Sequence, residues 1–287
     1  MYYDRSMLDG LDELHTEIYD SAITRISEAR RIVMKFGTDA VSSVFNGYGA
    51  SLAKDIKDEM DEGKELLIVS SGAIGQGKSL ATIEEPDPVI ERSVYASLGQ
   101  PLLMDRWRHL LAQQGINGSQ VLYENENLTG ESTHKDYIKA GLESMLRNGI
   151  VPIVNENDAV TSEEIRSSGR AKTFGDNDNL ARLVCELVDA DLLIFFTGAG
   201  GVYDDIDDKD SLYKAIFAQD EDFYKKFDGS ASANGKGGLR SKLETSEQLA
   251  ASGIPVVISS PAREHPLNCS LYDPDGHTVV VPYFNDP

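Results

Sequence analysis

Runs of consecutive apolar residues alternate with helix-like segments along this chain, and this alternation constrains the fold more than any other feature. The runs that predict strands are Arg31–Lys35, Leu66–Ser70, Gln120–Tyr123, Ile150–Val154, Asp191–Phe196 and Pro255–Ser259. Strands without polar alternation are buried on both faces, as in a parallel sheet. We therefore expect an α/β fold, a three-layer sandwich whose mostly parallel central sheet is covered by helices on both faces.

The segments between these strands have the apolar spacing of helices. They predict helices over Ser51–Glu62, in the stretch up to Gln114, and over His134–Arg147, Asn177–Val188 and Leu239–Ala251. The first thirty residues also predict an amphipathic helix, with apolar residues at Leu8, Leu11, Leu14, Ile18, Ala22, Ile23 and Ile26. We expect a helical extension over 1–29 and one α/β domain over 30–287. The apolar face of the extension must dock on its own domain or on a second subunit, and we expect the second subunit.

The net charge of −21 argues against nucleic acid or anionic lipid as a partner, because both are repelled by an acidic surface. No apolar run approaches the length of about 20 residues that spans a membrane, and the N-terminus has no signal pattern. Cys185 and Cys269 predict two buried thiols rather than a disulfide framework. These features favour a cytoplasmic protein. The charge-dense segments Asp204–Asp210 and Asp220–Asp228 are expected to be solvated.

Polar residues and glycines follow the predicted strands at the same end. The segments are Lys35–Thr38, Ser70–Ser79, Asn155–Asp158 and Thr197–Gly201. Ligands of parallel sheets bind outside the carboxyl ends of the strands. The pattern therefore predicts one site built from several loops at this edge of the sheet.

Gly72–Ser79 reads G-A-I-G-Q-G-K-S and matches the phosphate-binding pattern of P-loop nucleotidases. That hypothesis assigns Lys78 to phosphate and Ser79 to Mg²⁺. It also needs an apolar strand that ends in aspartate, whereas the strands here end in Asn155, Thr197 and Ser259. The P-loop reaction is the less favoured alternative.

A more extensive set of motifs resembles the glutamate 5-kinase family of the amino acid kinase fold, over roughly Arg31 to Ser260. The matching segments are Val33–Thr38, Val69–Ile74, Leu98–Gln100, Ile150–Val160, Gly175–Asn179 and Gly235–Lys242. The resemblance implies that ATP, with Mg²⁺, phosphorylates the side-chain carboxylate of glutamate, the first step of proline biosynthesis. Two alternatives remain open: an enzyme of the same fold with another carboxylate, carbamate or phosphate acceptor, and a catalytically weak regulatory homologue.

The resemblance also implies the roles of particular residues. Lys35, Lys242 and Asp178 are the expected catalytic residues, and Ser71, Asp158 and Asn177 are expected to bind the substrate. Expected ATP contacts are Lys35, Gly37, Thr38, Thr197, Gly198, Lys236, Gly237, Gly238, Leu239, Arg240, Ser241 and Lys242. No metal ligands are assigned.

Some positions depart from the family pattern. The family has aspartate where this chain has Gly198, which affects nucleotide contacts, and Asp39 places an anion beside the expected phosphate site. The loop from Asp158 to Gly175 is longer than usual and belongs to the region linked with feedback inhibition by proline. Since only a short tail follows Ser260, we expect no C-terminal PUA domain. The resemblance further implies a homodimer or homotetramer.

Overall fold

A computed structural model of the chain describes residues 2–3, 13–123, 128, 132–160, 176–218, 220–228, 236–273 and 275–282. Its centre is a sheet of nine strands. The strands are β1 (Tyr2–Tyr3), β2 (Arg31–Phe36), β3 (Glu65–Ser70), β4 (Asn117–Tyr123), β5 (Ile150–Glu156), β6 (Leu192–Phe196), β7 (Ala215–Phe217), β8 (Val256–Ser259) and β9 (Thr278–Val281). Their order across the sheet is β1-β7-β9-β8-β6-β2-β3-β5-β4.

Helices cover both faces of this sheet. They are α1 (Glu13–Glu28), α2 (Thr38–Ser43), α3 (Gly49–Asp61), α4 (Ala73–Leu80), α5 (Pro88–Ala112), α6 (Ser132–Arg147), α7 (Asp176–Leu187), α8 (Glu221–Asp228), α9 (Lys236–Ala251) and α10 (Pro266–Tyr272). A π-helical segment, Val44–Tyr48, joins α2 to α3.

The six strands from β8 to β4 are parallel, whereas β9 runs antiparallel to β8 and β1 antiparallel to β7. One core cluster lies on each face of the sheet. The predicted α/β sandwich with a mostly parallel central sheet is therefore confirmed. All six predicted strands are present with small differences at their ends.

The alternation of side chains along β2 decides which face carries its polar residue. Ile32, Met34 and Phe36 belong to one core cluster, and Val33 belongs to the other. Because side chains alternate along a strand, Lys35 shares the face of Val33. That face is covered by α7, whose apolar residues lie in the same cluster as Val33.

The strands β7, β9 and β1 and the helices α2, α8 and α10 were not predicted, because they are too short to show a clear periodicity. The prediction of a solvated segment at Asp220–Asp228 holds for Asp222, Lys225 and Lys226, which are exposed, but not for the segment as a whole. Glu221–Asp228 is helical, and Phe223 is fully buried against the ring of Tyr213. The segment Asp204–Asp210 is exposed as predicted.

Helix α1 packs on its own domain. Tyr19, Ala22 and Ile26 are buried in the core cluster, and the ring of His15 meets the ring of Phe217 edge-on at 4.9 Å. The sequence left two partners open for the amphipathic helix, its own domain or a second subunit, and we expected the second subunit. The described part of α1 docks on its own domain instead. Tyr2–Tyr3 is strand rather than helix, and Leu8 and Leu11 lie outside the described residues.

The two cysteines are both free, as expected, but only Cys185 is buried, whereas Cys269 is partly exposed. None of the described helices is long and apolar enough to cross a membrane.

Candidate active site

A cavity of about 1160 Å³ opens at the carboxyl ends of the parallel strands. It is lined by most of the residues that the sequence assigned to the site: Lys35, Gly37, Thr38, Ser71, Asp158, Asn177, Asp178, Thr197, Gly198, Gly238, Leu239, Arg240 and Lys242. The predicted position at the carboxyl edge of the sheet is therefore where the cavity lies.

One of the expected nucleotide contacts, Ser241, is placed differently. Ser241 is buried and does not line the cavity. Lys236 and Gly237 begin helix α9, and the surroundings of these two residues lie outside what the structure describes.

The strand order divides the cavity into two halves around β2. The ends of β3 and β5 lie on one side of β2, and those of β6 and β8 on the other. We call the first the β3–β5 half; it is lined by Ser71, Gly72, Ala73, Ile74, Gly75, Arg92, Glu156, Asp158 and Asn177. The second, the β6–β8 half, is lined by Thr197, Gly198, Ala199, Gly201, Tyr203, Asp204, Asp205, Ile206, Lys226, Leu239 and Ile258.

An ion triad lies between the two halves. The Oδ1 atom of Asp178 is 2.5 Å from Nζ of Lys35, and its Oδ2 atom is 3.1 Å from Nζ of Lys242. Each of the three residues comes from a different element: Lys35 from β2, Asp178 from α7 and Lys242 from α9. The ammonium of Lys242 also donates to the carbonyl of Gly238, one turn earlier in its own helix. The triad therefore holds two ammonium groups on one carboxylate at the cavity.

Burial and the neighbouring charges shift the pKa values of Lys35 and Asp178. Burial lowers the pKa of Lys35 below its ordinary value, the charge of Lys242 lowers it further, and Asp178 acts in the opposite direction. For Asp178, burial acts to raise the pKa, but the two lysines outweigh it and hold the pKa below its usual value. The carboxylate of Asp178 is thus ionised at neutral pH and keeps both lysines in place.

The β3–β5 half combines hydrogen-bond donors with acceptors. Nδ2 of Asn177 donates to Oγ of Ser71 at 2.8 Å, which joins α7 to the end of β3. The Oδ1 atom of Asn177 is buried and has no hydrogen-bond partner among the described residues. Burial raises the pKa of Asp158, and the positive charge of Arg92 partly offsets this effect. A buried acceptor and a half-buried carboxyl therefore face the same space.

Backbone N–H groups also reach the cavity from helix N-termini. Gly37 precedes α2, and Gly72 precedes α4 with φ of 110°, a conformation that favours glycine. Unpaired N–H groups and the helix dipole at such positions favour anions.

The two departures from the family pattern lie against each other. A Cβ atom added to Gly198 would stand 3.7 Å from Cβ of Asp39, and both residues line the cavity. The side chain of Asp39 is exposed. Where the family has an aspartate, this chain has Gly198, and the carboxylate of Asp39 lies close to that position.

The P-loop hypothesis for Gly72–Ser79 was wrong. The segment after Gly72 is helix α4 rather than a loop, and Lys78 is exposed outside the cavity with its ammonium over the ring of Tyr95. A Cβ atom on Gly77 would come within 2.0 Å of the carbonyl oxygen of Tyr95. The glycine therefore serves the close packing of α4 on α5, not the binding of phosphate.

Several residues of the cavity were missed by the sequence reasoning. In the β6–β8 half, the ammonium of Lys226 donates a hydrogen bond to Oδ1 of Asp204. The hydroxyl of Tyr213 donates to the same Oδ1 atom at 2.8 Å. In the β3–β5 half, Arg92 comes from α5. No local motif marks these positions; only the packing of α5 and α8 brings them to the site.

Comparisons with known proteins identify relatives of the chain. The chain is 35% identical over 243 residues to a glutamate 5-kinase of Streptomyces coelicolor, which covers 82% of this chain and 63% of that protein. It is 34% identical over 246 residues to a glutamate 5-kinase of Symbiobacterium thermophilum, covering 83% of this chain and 91% of the relative. The chain thus spans less than two thirds of the first relative and most of the second.

A solved structure shares the fold. Carbamate kinase from Giardia lamblia, bound to AMP-PNP, superposes with a TM-score of 0.59 at 14% identity, covering 90% of this chain and 100% of that one. Residues 30–260 match the model of the amino acid kinase family. With its parallel sheet, its two-lysine cavity and these matches, the chain belongs to the amino acid kinase family.

Proposed function

We propose that this protein transfers the γ-phosphoryl group of ATP to the side-chain carboxylate of L-glutamate, giving L-glutamyl 5-phosphate and ADP. The observation that carries the proposal is the Lys35–Asp178–Lys242 triad, which lies between the β3–β5 half, with its hydrogen-bond donors and acceptors, and the β6–β8 half, which contains glycines, apolar side chains and charged groups. Relatives named glutamate 5-kinase support glutamate as the acceptor. In this role the enzyme would catalyse the first step of proline biosynthesis.

The geometry suits a reaction between two anions. The acceptor carboxylate is already ionised at neutral pH, so the site needs no general base. The main obstacle to the reaction is the repulsion between the acceptor carboxylate and a phosphate that carries several negative charges. Lys35 and Lys242 neutralise that charge, and Asp178 fixes both ammonium groups before the substrates arrive.

The two halves divide the substrates between them. ATP fits the β6–β8 half, where Gly198 leaves room for the nucleotide beside the apolar surface of Leu239 and Ile258. Glutamate fits the β3–β5 half. There its ammonium meets Asp158 and the unpartnered Oδ1 atom of Asn177, and Ser71 holds a carboxylate oxygen.

Magnesium would enter with ATP. Among the described residues no group of three acidic, histidine or cysteine side chains forms a metal site. Mg²⁺ commonly uses phosphate oxygens, waters and only one or two carboxylates, and the exposed carboxylate of Asp39 in the cavity fits that need. When bound, the ion would supply positive charge that neutralises the phosphates of ATP.

An acceptor panel tests the proposal. ADP release would be measured with ATP and Mg²⁺ in the presence of glutamate, aspartate, carbamate or UMP, with Lys242→Ala as the control for contaminating kinases. Turnover that depends on glutamate and disappears in the variant supports the proposal. Turnover with carbamate or UMP in place of glutamate would assign another acceptor within the fold. No turnover with any acceptor would favour a regulatory homologue.

We further infer a cytoplasmic location, since both substrates are cytoplasmic metabolites, and a homodimer or homotetramer, which the resemblance to the glutamate 5-kinase family implies. Proline is the candidate feedback inhibitor. Adding proline to the glutamate-dependent assay tests the inhibitor, and light scattering tests the oligomer.

A further inference from the structure

Among the residues that the structure describes, Arg92 is the single cation that lines the β3–β5 half besides the central lysines. Among the described residues that line it, Glu156 and Asp158 carry negative charge and Arg92 carries positive charge. Glutamate carries two carboxylates and one ammonium. Once the reacting carboxylate lies at Lys35 and the ammonium at Asp158, the α-carboxylate still needs a donor of opposite charge.

The fold holds Arg92 next to Asp158. Arg92 lies in the second turn of α5, a helix that begins at Pro88 and is capped by Asp87, whose carboxylate accepts from the N–H of Val89 at 2.9 Å. The hydroxyl of the adjacent Ser93 donates to the carbonyl of Ala159 at 2.8 Å. This bond fastens the start of α5 to the loop that carries Asp158, so the guanidinium and the carboxyl stay in the same half of the cavity.

An arginine beside an aspartate is complementary to the head group of an amino acid. The guanidinium presents paired N–H groups to a carboxylate, and the carboxylate of the protein accepts from an ammonium. We propose that Arg92 binds the α-carboxylate of the acceptor and makes the site specific for an α-amino acid. This inference rests on the proposed function, since it takes glutamate as the acceptor.

The N-terminal N–H groups of α4 are the competing donors. They begin at Ala73, and a Cβ atom on Gly75 would lie 3.7 Å from Cγ2 of Thr38, at the start of α2. These groups therefore lie beside the residues that follow Lys35, where the reacting carboxylate and the phosphate meet. Arg92 lies next to Asp158 and is therefore better placed to bind the α-carboxylate, at the end of the amino acid away from the reacting carboxylate.

The experiment compares Arg92→Gln with the wild type on three acceptors. Glutamate has both charged groups of the amino acid, its α-amide keeps the ammonium but loses the α-carboxylate charge, and 4-aminobutyrate lacks the α-carboxylate altogether. Arg108→Gln, an exposed arginine of the same helix that does not line the cavity, is the matched control. Calorimetric titration of glutamate in the presence of ADP gives a second readout that needs no turnover.

We expect Arg92→Gln to raise the KM and the dissociation constant of glutamate about 10- to 100-fold, with the KM of ATP unchanged. The preference of the wild type for glutamate over its α-amide should fall by a similar factor, and Arg108→Gln should behave as the wild type. If Arg92 acts only by keeping Asp158 ionised, 4-aminobutyrate and the α-amide will lose as much as glutamate, and the proposal is overturned. Unchanged glutamate binding in Arg92→Gln would assign the α-carboxylate to α4 instead. A wild type without glutamate turnover would refute the proposed function, and glutamate binding would then still decide whether Arg92 is a ligand.

Discussion

Asp178→Asn should weaken both stability and turnover, because it removes the anion between two lysines with little change of shape. The side chain of Asp178 is 4% exposed and that of Lys35 is 6% exposed. The pair therefore belongs with buried ion pairs, where loss of one partner costs about 3–5 kcal/mol, rather than with surface pairs at about 0–1 kcal/mol. We expect the free energy of unfolding to fall by about 3–5 kcal/mol.

The same substitution should change the pH dependence of the reaction. Asp178 is the group that raises the pKa of Lys35, against burial and the charge of Lys242. Without it the pKa of Lys35 falls further, and less of the lysine is charged at neutral pH. We expect kcat to drop about 10²–10³-fold, and the residual kcat to rise as the pH is lowered through neutrality.

Chemical denaturation and a pH profile of kcat measure the two effects. Asp189→Asn is the control: Asp189 pairs with Lys139 at 2.5 Å, but its side chain is 74% exposed, and asparagine accepts its φ of 51°. It should change stability by no more than about 1 kcal/mol. If Asp178→Asn proves as stable and as active as Asp189→Asn, the triad is not the buried, preorganised cation pair described above.

Five other changes have definite expected outcomes. Lys242→Ala should lose about 10²–10³ in kcat, and Lys78→Ala should keep wild-type turnover, as steady-state kinetics will show. Asp158→Ala should raise the KM of glutamate far more than that of ATP, and equal effects would mean that Asp158 only holds its loop. His277 is buried, and burial above all lowers its pKa from 6.5 to about 4. Because the unfolded chain binds this proton more readily, stability should fall as pH drops from 6.5 towards 4, by up to about 1.4 kcal/mol per pH unit, and His277→Phe should flatten that slope in denaturation curves. Removal of residues 1–29 should lower the Tm, because α1 is buried on its own domain, and light scattering should show an unchanged oligomer mass.

Local patterns were sufficient for the parts of the site that directly follow strands. Lys35 ends an apolar run, and a parallel sheet brings such ends together, so its position followed from strand length and composition. The face on which Lys35 lies was not predicted from the sequence; in the structure it follows from the two-residue alternation of β2. The pairing of Lys242 with Asp178 joins residues that are 64 positions apart, and only the resemblance to the family suggested it.

Tertiary packing decided the rest. The Gly77–Lys78–Ser79 segment has the local pattern of a phosphate loop, but the contact of α4 with α5 makes Gly77 a packing residue. Arg92 has no motif, because its place beside Asp158 depends on a hydrogen bond from Ser93 to a loop more than sixty positions away. The charged segment around Phe223 is helical because one buried aromatic ring anchors it, a signal too sparse for a periodicity to reveal.

Trapping the product with hydroxylamine tests the central claim most directly. An acyl phosphate reacts with hydroxylamine to give a hydroxamate, whereas a phosphate ester does not. With ATP, Mg²⁺ and glutamate, we expect the protein to form the hydroxamate of the glutamate side chain in a one-to-one ratio with ADP, as identified by mass spectrometry, and Lys242→Ala to form almost none. ADP release without hydroxamate, or a hydroxamate yield unaffected by Lys242→Ala, would contradict carboxylate phosphorylation at this site.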